Sequence, residues 1–139
     1  MAVALDKEAL QAFLDEVFPQ VKGEFVVECV DEMYVEIRIP IEDKHLRPGG
    51  TVSGPTMFML ADVAVYAAVL SMVGKKALAV TTSCSLDFMR KPAAGKDLLA
   101  KCTLLKLGRV LAVGDVLLYS VGEDKPVARS TMTYSIPPK

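Results

Sequence analysis

The chain has 139 residues and a formal charge of −1, from 16 basic and 17 acidic side chains. That length suits one domain with a full core, residues 1–139, and the scattered, balanced charge excludes a general nucleic-acid binder. Cys29, Cys84 and Cys102 have no metal-ligand spacing, and the odd count and the lack of a secretory leader point to the cytoplasm.

An accessory helix is expected over about residues 6–18. Leu10, Phe13, Leu14 and Val17 recur at i, i+3, i+4 and i+7. Asp6 is its N-cap, Leu5 and Leu10 fit a hydrophobic staple, and Pro19 ends it. Such a helix would cover an edge of the main body. Two strands follow. Phe25, Val27 and Cys29 alternate with Glu24, Val26 and Glu28, and Met33, Val35, Ile37 and Ile39 alternate with Tyr34, Glu36 and Arg38. Asp31-Glu32 is the expected hairpin turn. Each cysteine lies in an apolar strand and reads as a small core residue.

A loop from Ile41 to Ser53 carries the chain's one histidine, His45, read as a solvated loop residue. One His makes a Ser-His-Asp triad improbable, and no His/Cys/acid cluster suggests zinc. The loop's Pro48-Gly49-Gly50 leads into a helix from Pro55 to about Val73, stopped by Gly74. Pro55 suits the first helical turn, with Ser53 or Gly54 as N-cap. Between Pro48 and Gly74 the single acidic or basic side chain is Asp62. A helix apolar on every face is buried on every face. Its length approaches a bilayer span, but Asp62 near its middle would be costly in lipid, and the remaining chain reads as amphipathic strands. Buried Asp is rare without a partner, so an acid beside a turn of free N–H groups marks a candidate site.

Ala77 to Met89 reads as a long strand, with Thr81, Ser83, Ser85 and Asp87 on one face and Val80, Thr82, Cys84, Leu86 and Phe88 on the other. Arg90 and Lys91 open the next turn, either as a solvated strand end or as phosphate contacts. Three more strands follow over 97–107, 109–121 and 125–136, and the short connections between them imply antiparallel neighbours. An antiparallel sheet must bury one face, and the apolar helix is its obvious partner. The expected architecture is α+β: a curved antiparallel sheet wrapped round one long central helix. An apolar content of 52% in so small a chain suggests further burial between copies, with the long strand pairing across a two-fold axis.

That arrangement is the hot-dog fold, and the chain resembles the PaaI-like acyl-CoA thioesterases over about residues 33–136. In that family a pattern close to Asn-x-x-Gly-x-x-His-Gly-Gly precedes the helix, and an Asp follows eight residues after the first Gly of His-Gly-Gly. Here the run reads Arg47-Pro48-Gly49-Gly50-Thr51-Val52-Ser53-Gly54-Pro55, then Leu60-Ala61-Asp62. The run from Ser83 to Pro92 is similar to the family's strand after the helix. Arg47 stands where the family has Asn, Ser53 where it has His, and Pro55 where it has the second Gly. Gly54, Asp62 and the hydroxyl of Thr81 survive.

The resemblance implies acyl-CoA hydrolysis without a metal or other cofactor, in a homodimer or homotetramer with sites built from two chains, and with no nucleic-acid or membrane partner. Asp62 would be general base or nucleophile, the Gly54 N–H the oxyanion donor, and Thr81 the residue that positions water. Arg47, Ser53, Ser83, Arg90 and Lys91 would contact substrate, Arg47 as an anion contact in place of an amide. The rival reading is a hot-dog protein that binds acyl-CoA or another ligand without cleaving it. A third possibility, a hydratase on the same fold, would need an Asp-His pair in a different motif, which the sequence lacks. A purely structural reading makes Asp62 a capped core acid.

Overall fold

A computed structural model describes residues 2–138. The chain runs α1 (Lys7–Val17), β1 (Val26–Asp31), β2 (Tyr34–Ile39), α2 (Gly54–Val73), β3 (Val80–Phe88), β4 (Leu98–Leu107), β5 (Leu111–Ser120) and β6 (Ala128–Ser135). The six strands form one antiparallel sheet in the order β1-β2-β4-β5-β6-β3. The sheet curves round α2 and places β1 and β3 at opposite edges.

The apolar run from Gly54 to Val73 is helical because it is rich in Ala, Leu and Met, is capped by Ser53 and is stopped at Gly74, which has φ +88°. Fourteen of its 20 residues are buried, and Leu60, Val65, Val69 and Leu70 are wholly so. Each such side chain contributes about 1.5–3 kcal/mol relative to exposure. The helix is long and apolar enough to cross a bilayer, but 78% of its apolar window lies inside the protein. Small inward residues of the sheet, Ala100, Ala112 and Gly114, let it approach closely. A Cβ on Gly114 would stand 3.1 Å from Cγ1 of Val65.

The two sheet edges are treated differently. At β1, the Gln11 side chain of α1 accepts from the Val27 N–H at 2.8 Å and donates to the Phe25 carbonyl at 3.2 Å. Asp6 caps α1 through the Ala9 N–H, and Leu5 and Leu10 are buried beneath it. The helix therefore blunts one edge of the sheet. β3 carries no such cover among the described residues. Seven of its nine residues are exposed, including Val80 and Phe88 at 55% each.

Several expectations are corrected. The β1–β2 hairpin turns at Glu32-Met33, with Met33 at φ +59°, because Asp31 pairs with Tyr34. A bulge between Val27 and Cys29 shifts the alternation, so Val30 packs inward opposite Val35 while Cys29 pairs with the outward Glu36. A second bulge, between Thr81 and Ser83, does the same to β3. Thr81 pairs with the buried Tyr134, and Cys84, Leu86 and Phe88 pair with the inward Met132, Ser130 and Ala128. Thr81 therefore faces the helix, and Ser83, Ser85 and Asp87 face away from it. Of the cysteines, Cys102 alone is a buried core residue, with its thiol pushed up to about 12 by burial; Cys84 is exposed.

His45 is buried, not solvated, at 3% exposure. Its Nδ1 accepts from the Glu42 N–H at 2.9 Å, which leaves Nε2 to donate to Glu24 at 3.2 Å. Its carbonyl accepts from the Ser53 N–H at 2.9 Å. A satisfied imidazole thus anchors the loop that delivers Ser53 and Gly54 to the head of α2.

Candidate active site

Asp62 sits half-buried in the third turn of α2, where the helix meets the β3 and β6 end of the sheet. Its Oδ1 accepts two hydroxyl protons, from Thr81 Oγ1 at 2.6 Å and from the Tyr134 phenol at 2.7 Å. The same phenol lies 3.0 Å from the Asp62 carbonyl. Among the described residues, Oδ2 accepts no hydrogen bond. Every buried side-chain polar atom there has a partner, so Oδ2 is open to solvent.

The space it opens on is a cleft of about 530 Å³. Its walls are largely apolar: Val17 and Phe18 from the end of α1, Val63 and Tyr66 from α2, and Ala77, Ala79 and Val80 leading into β3. Phe18 meets Tyr66 edge-on, with ring centroids 6.3 Å apart, and Tyr66 lies 6.1 Å from Tyr134. Burial, and then the Asp62 charge, pushes the Tyr134 hydroxyl far above the ordinary phenol value, so it remains a donor.

The head of α2 opens on a second cleft of about 400 Å³ that shares no lining residue with the first. Gly54, Met57 and Phe88 line it together with Arg47, Arg90 and Lys91. The first helical N–H groups are mostly committed. Thr56 donates to Ser53 Oγ at 3.3 Å, Met57 donates to the Ser53 carbonyl at 3.1 Å, and Pro55 has no N–H. Among the described residues the Gly54 N–H has no acceptor. One free donor at the positive end of a 20-residue helix suits an anionic oxygen.

The sequence candidates therefore divide into groups. Asp62 and Thr81 meet in the first cleft, and Gly54, Arg47, Arg90 and Lys91 gather at the second. Ser53 spends its hydroxyl on the cap, bonding Thr56 Oγ1 at 2.8 Å. Ser83 lies on the outer face of the sheet, turned away from Asp62 by the bulge. Along the helix, Gly54 and Asp62 are eight residues apart, roughly 12 Å.

Tyr134 escaped the sequence reading. Its signal was the inward alternation Ala128, Ser130, Met132, Tyr134, in which it is the one residue with both a large apolar body and a hydroxyl. His45 lines neither cleft, which removes the Asp-His pair a hydratase would need. Among the described residues no three of His, Cys, Asp and Glu gather as a metal shell. A hollow of about 590 Å³ on the outer sheet face is lined by groups paired with one another, Arg129 with Asp87 at 2.9 Å and Thr131 with Asp115 at 2.6 Å.

Comparison with known proteins bears on the family and the fold. The model of the thioesterase superfamily matches residues 49–127. A candidate thioesterase from a Silicibacter species is 61% identical, with TM-score 0.93, over 99% of this chain and 96% of its own. The phenylacetic acid degradation protein PaaI of Thermus thermophilus is 27% identical, with TM-score 0.72, over 86% of this chain and 99% of its own. Zebrafish thioesterase superfamily member 2 shares the fold, with TM-score 0.84 at 22% identity, over 96% of this chain and all of its own. No match was found among curated protein sequences. The chain belongs to the thioesterase superfamily, as a PaaI-like hot-dog protein of the thioester hydrolase class.

Proposed function

We propose that this member of the thioesterase superfamily hydrolyses an acyl-CoA thioester to the free acid and CoA, with Asp62 as the working carboxylate. The observation that carries the reading is Asp62 itself: a lone acid on a buried apolar helix, tethered by a hydroxyl, with one oxygen open to an apolar-walled cleft.

The chemistry follows from the groups present. Water in the cleft donates a proton to Oδ2 of Asp62, and its second hydrogen lies toward Thr81 Oγ1, which still has lone pairs to accept it. The water oxygen attacks the thioester carbon. The carbonyl oxygen gains negative charge, which suits the free Gly54 N–H at the helix head. Collapse breaks the C–S bond, and the proton held by Asp62 passes to the departing sulfur. Asp62 attacking the carbon directly is the covalent variant of the same arrangement. Arg47, Arg90 and Lys91 suit the phosphates of the carrier, and the aromatic-lined cleft beside Asp62 suits the acyl group.

Gly54 and Asp62 cannot both reach one carbonyl from the same chain, because each would need to lie within about 3 Å of the reacting atoms. A dimer removes the conflict. β3 is an uncovered edge whose one end, Thr81, bonds Asp62 and whose other end, Phe88, lines the same cleft as Gly54 and would meet a Cβ placed there. If two β3 strands pair antiparallel about Cys84, Val80 of one copy lies beside Phe88 of the other. The Gly54 cleft of one copy then meets the Asp62 cleft of its partner. We therefore read the protein as a cytoplasmic homodimer or a higher assembly of such dimers.

A panel of acyl-CoA substrates, assayed for released thiol with the native protein and with Asp62→Asn, tests the reading. Turnover by the native protein that is lost in the variant supports it. Tight acyl-CoA binding without turnover makes the protein a non-catalytic binder instead.

A further inference from the structure

We infer that Tyr134 is a positioning residue that decides which oxygen of Asp62 works, an inference that rests on the hydrolytic role given to Asp62 above. A carboxylate oxygen offers two lone pairs. On Oδ1 both are taken, by Thr81 at 2.6 Å and Tyr134 at 2.7 Å. The two donors come from different strands, β3 and β6, which pair with each other at Thr81–Tyr134. They therefore hold the carboxylate from a rigid ladder rather than from a loop. With Oδ1 saturated, the basic lone pairs that remain are on Oδ2, which faces the cleft.

Tyr134 is itself fixed. It is 3% exposed, its ring packs against Tyr66, and its hydroxyl also lies 3.0 Å from the Asp62 carbonyl. The phenol has one proton and two acceptors within reach, and the shorter approach, 2.7 Å against 3.0 Å, favours Oδ1 over the Asp62 carbonyl. Among the described residues Asp62 is the one charged side chain lining this cleft, and the other titratable side chains there are Tyr66 and Tyr134. The Tyr66 hydroxyl is turned to the Ala77 carbonyl at 2.7 Å. Among the described residues no side chain but Thr81 and Tyr134 bonds Oδ1, and Gln20, the amide that also lines the cleft, makes no bond to it.

The test is Tyr134→Phe, which keeps the ring and removes the donor. We expect kcat to fall roughly 10- to 100-fold, in line with the loss of a hydrogen bond to a charged group, while KM stays within about twofold. A donated proton favours the charged form of a carboxylate. Losing it therefore moves the acidic limb of the kcat/KM profile to higher pH. Thr81→Val should move the limb the same way, and Thr81→Ser should restore it.

Wild-type kcat and an unmoved acidic limb in Tyr134→Phe would overturn the inference. So would a loss expressed in KM, or a loss of kcat with the pH profile unchanged, since both describe a merely structural tyrosine. If Tyr134→Phe does not fold, 2,3-difluorotyrosine at position 134 keeps the shape and strengthens the donor. The acidic limb should then move to lower pH, and an unmoved limb would again overturn it. Asp62→Asn, assayed in parallel, separates the two readings. If Asp62→Asn retains turnover, the hydrolytic assignment fails and this inference fails with it. If Asp62→Asn is inactive and Tyr134→Phe is wild type, only the role of Tyr134 fails.

Discussion

Thr81 Oγ1 donates to Oδ1 of Asp62 at 2.6 Å, a bond that ties the core helix to the free edge strand at the helix's one charged residue. Asp62→Asn keeps the side-chain volume, and its amide oxygen can still accept from Thr81 and Tyr134. The variant should fold with a near-native melting temperature. It has neither a basic oxygen nor a nucleophile, so thioester turnover should fall roughly a hundred- to ten-thousand-fold. Thiol release measured beside a thermal melt checks both halves. Near-native turnover would remove Asp62 from the chemistry.

The sequence made α2 legible because composition and caps agreed: no charge but Asp62, Pro55 at the start and Gly74 at the stop. The alternating strands declared the sheet in the same way. The bulges were not legible. Skipping one residue in β3 moves every later side chain to the other face, and nothing in Thr81-Thr82-Ser83 announces where the skip falls. Asp62 with Thr81 was therefore readable while the placement of Ser83 was not. His45 was misread because its burial and its contact with Glu24, 21 residues away, come from tertiary structure, while its bond from the Glu42 N–H is a local cap that the sequence did not announce. Tyr134 was missed for the same reason, since its contact with Asp62 spans 72 residues.

The Glu24–His45 contact makes a prediction about pH. Burial alone would raise the Glu24 carboxyl, but hydrogen bonds from Lys44 at 3.1 Å and His45 at 3.2 Å outweigh it and hold it below its ordinary value of 4.5. A depressed carboxylate stabilises the fold above its unfolded value, and that stabilisation is lost as pH falls through the folded one. Glu24→Gln should therefore melt a few degrees below wild type at neutral pH, a modest loss because solvent screens the pair. The gap should close below pH 4.5. Melting curves across that range check it, and a gap independent of pH would contradict the assignment.

Arg47 lines the Gly54 cleft with Arg90 and Lys91. It is exposed, and its backbone is held by the turn, donating to the Thr51 carbonyl at 2.8 Å. Arg47→Ala should leave that turn intact and remove one anion contact. The expected result is a KM for acyl-CoA raised roughly three- to tenfold with kcat nearly unchanged, the pattern of lost uniform binding. The wild-type KM should rise with salt more steeply than the variant's. A variant KM equal to wild type for every active substrate would make Arg47 a solvated loop residue.

The last prediction concerns the two chains. Asp62 touches one end of β3 through Thr81, and a Cβ placed on Gly54 would lie 3.3 Å from Cζ of Phe88 at the other end. The chain, of 15.0 kDa, should therefore sediment at no less than twice that mass. Two separately inactive proteins should also complement each other. Asp62→Ala removes the carboxylate. Gly54→Val drives a branched side chain against Phe88 and crowds the free N–H. After gentle dissociation and mixing, a mixed dimer holds one site with both residues native and one with neither. Random two-fold pairing makes half of the dimers mixed, so activity should recover to roughly a quarter of wild type. Labelled chains report whether exchange has occurred, and melting curves report whether both parents are folded. No recovery between folded, exchanging parents would place the working site within one chain, or would show that it does not use Gly54 and Asp62 together.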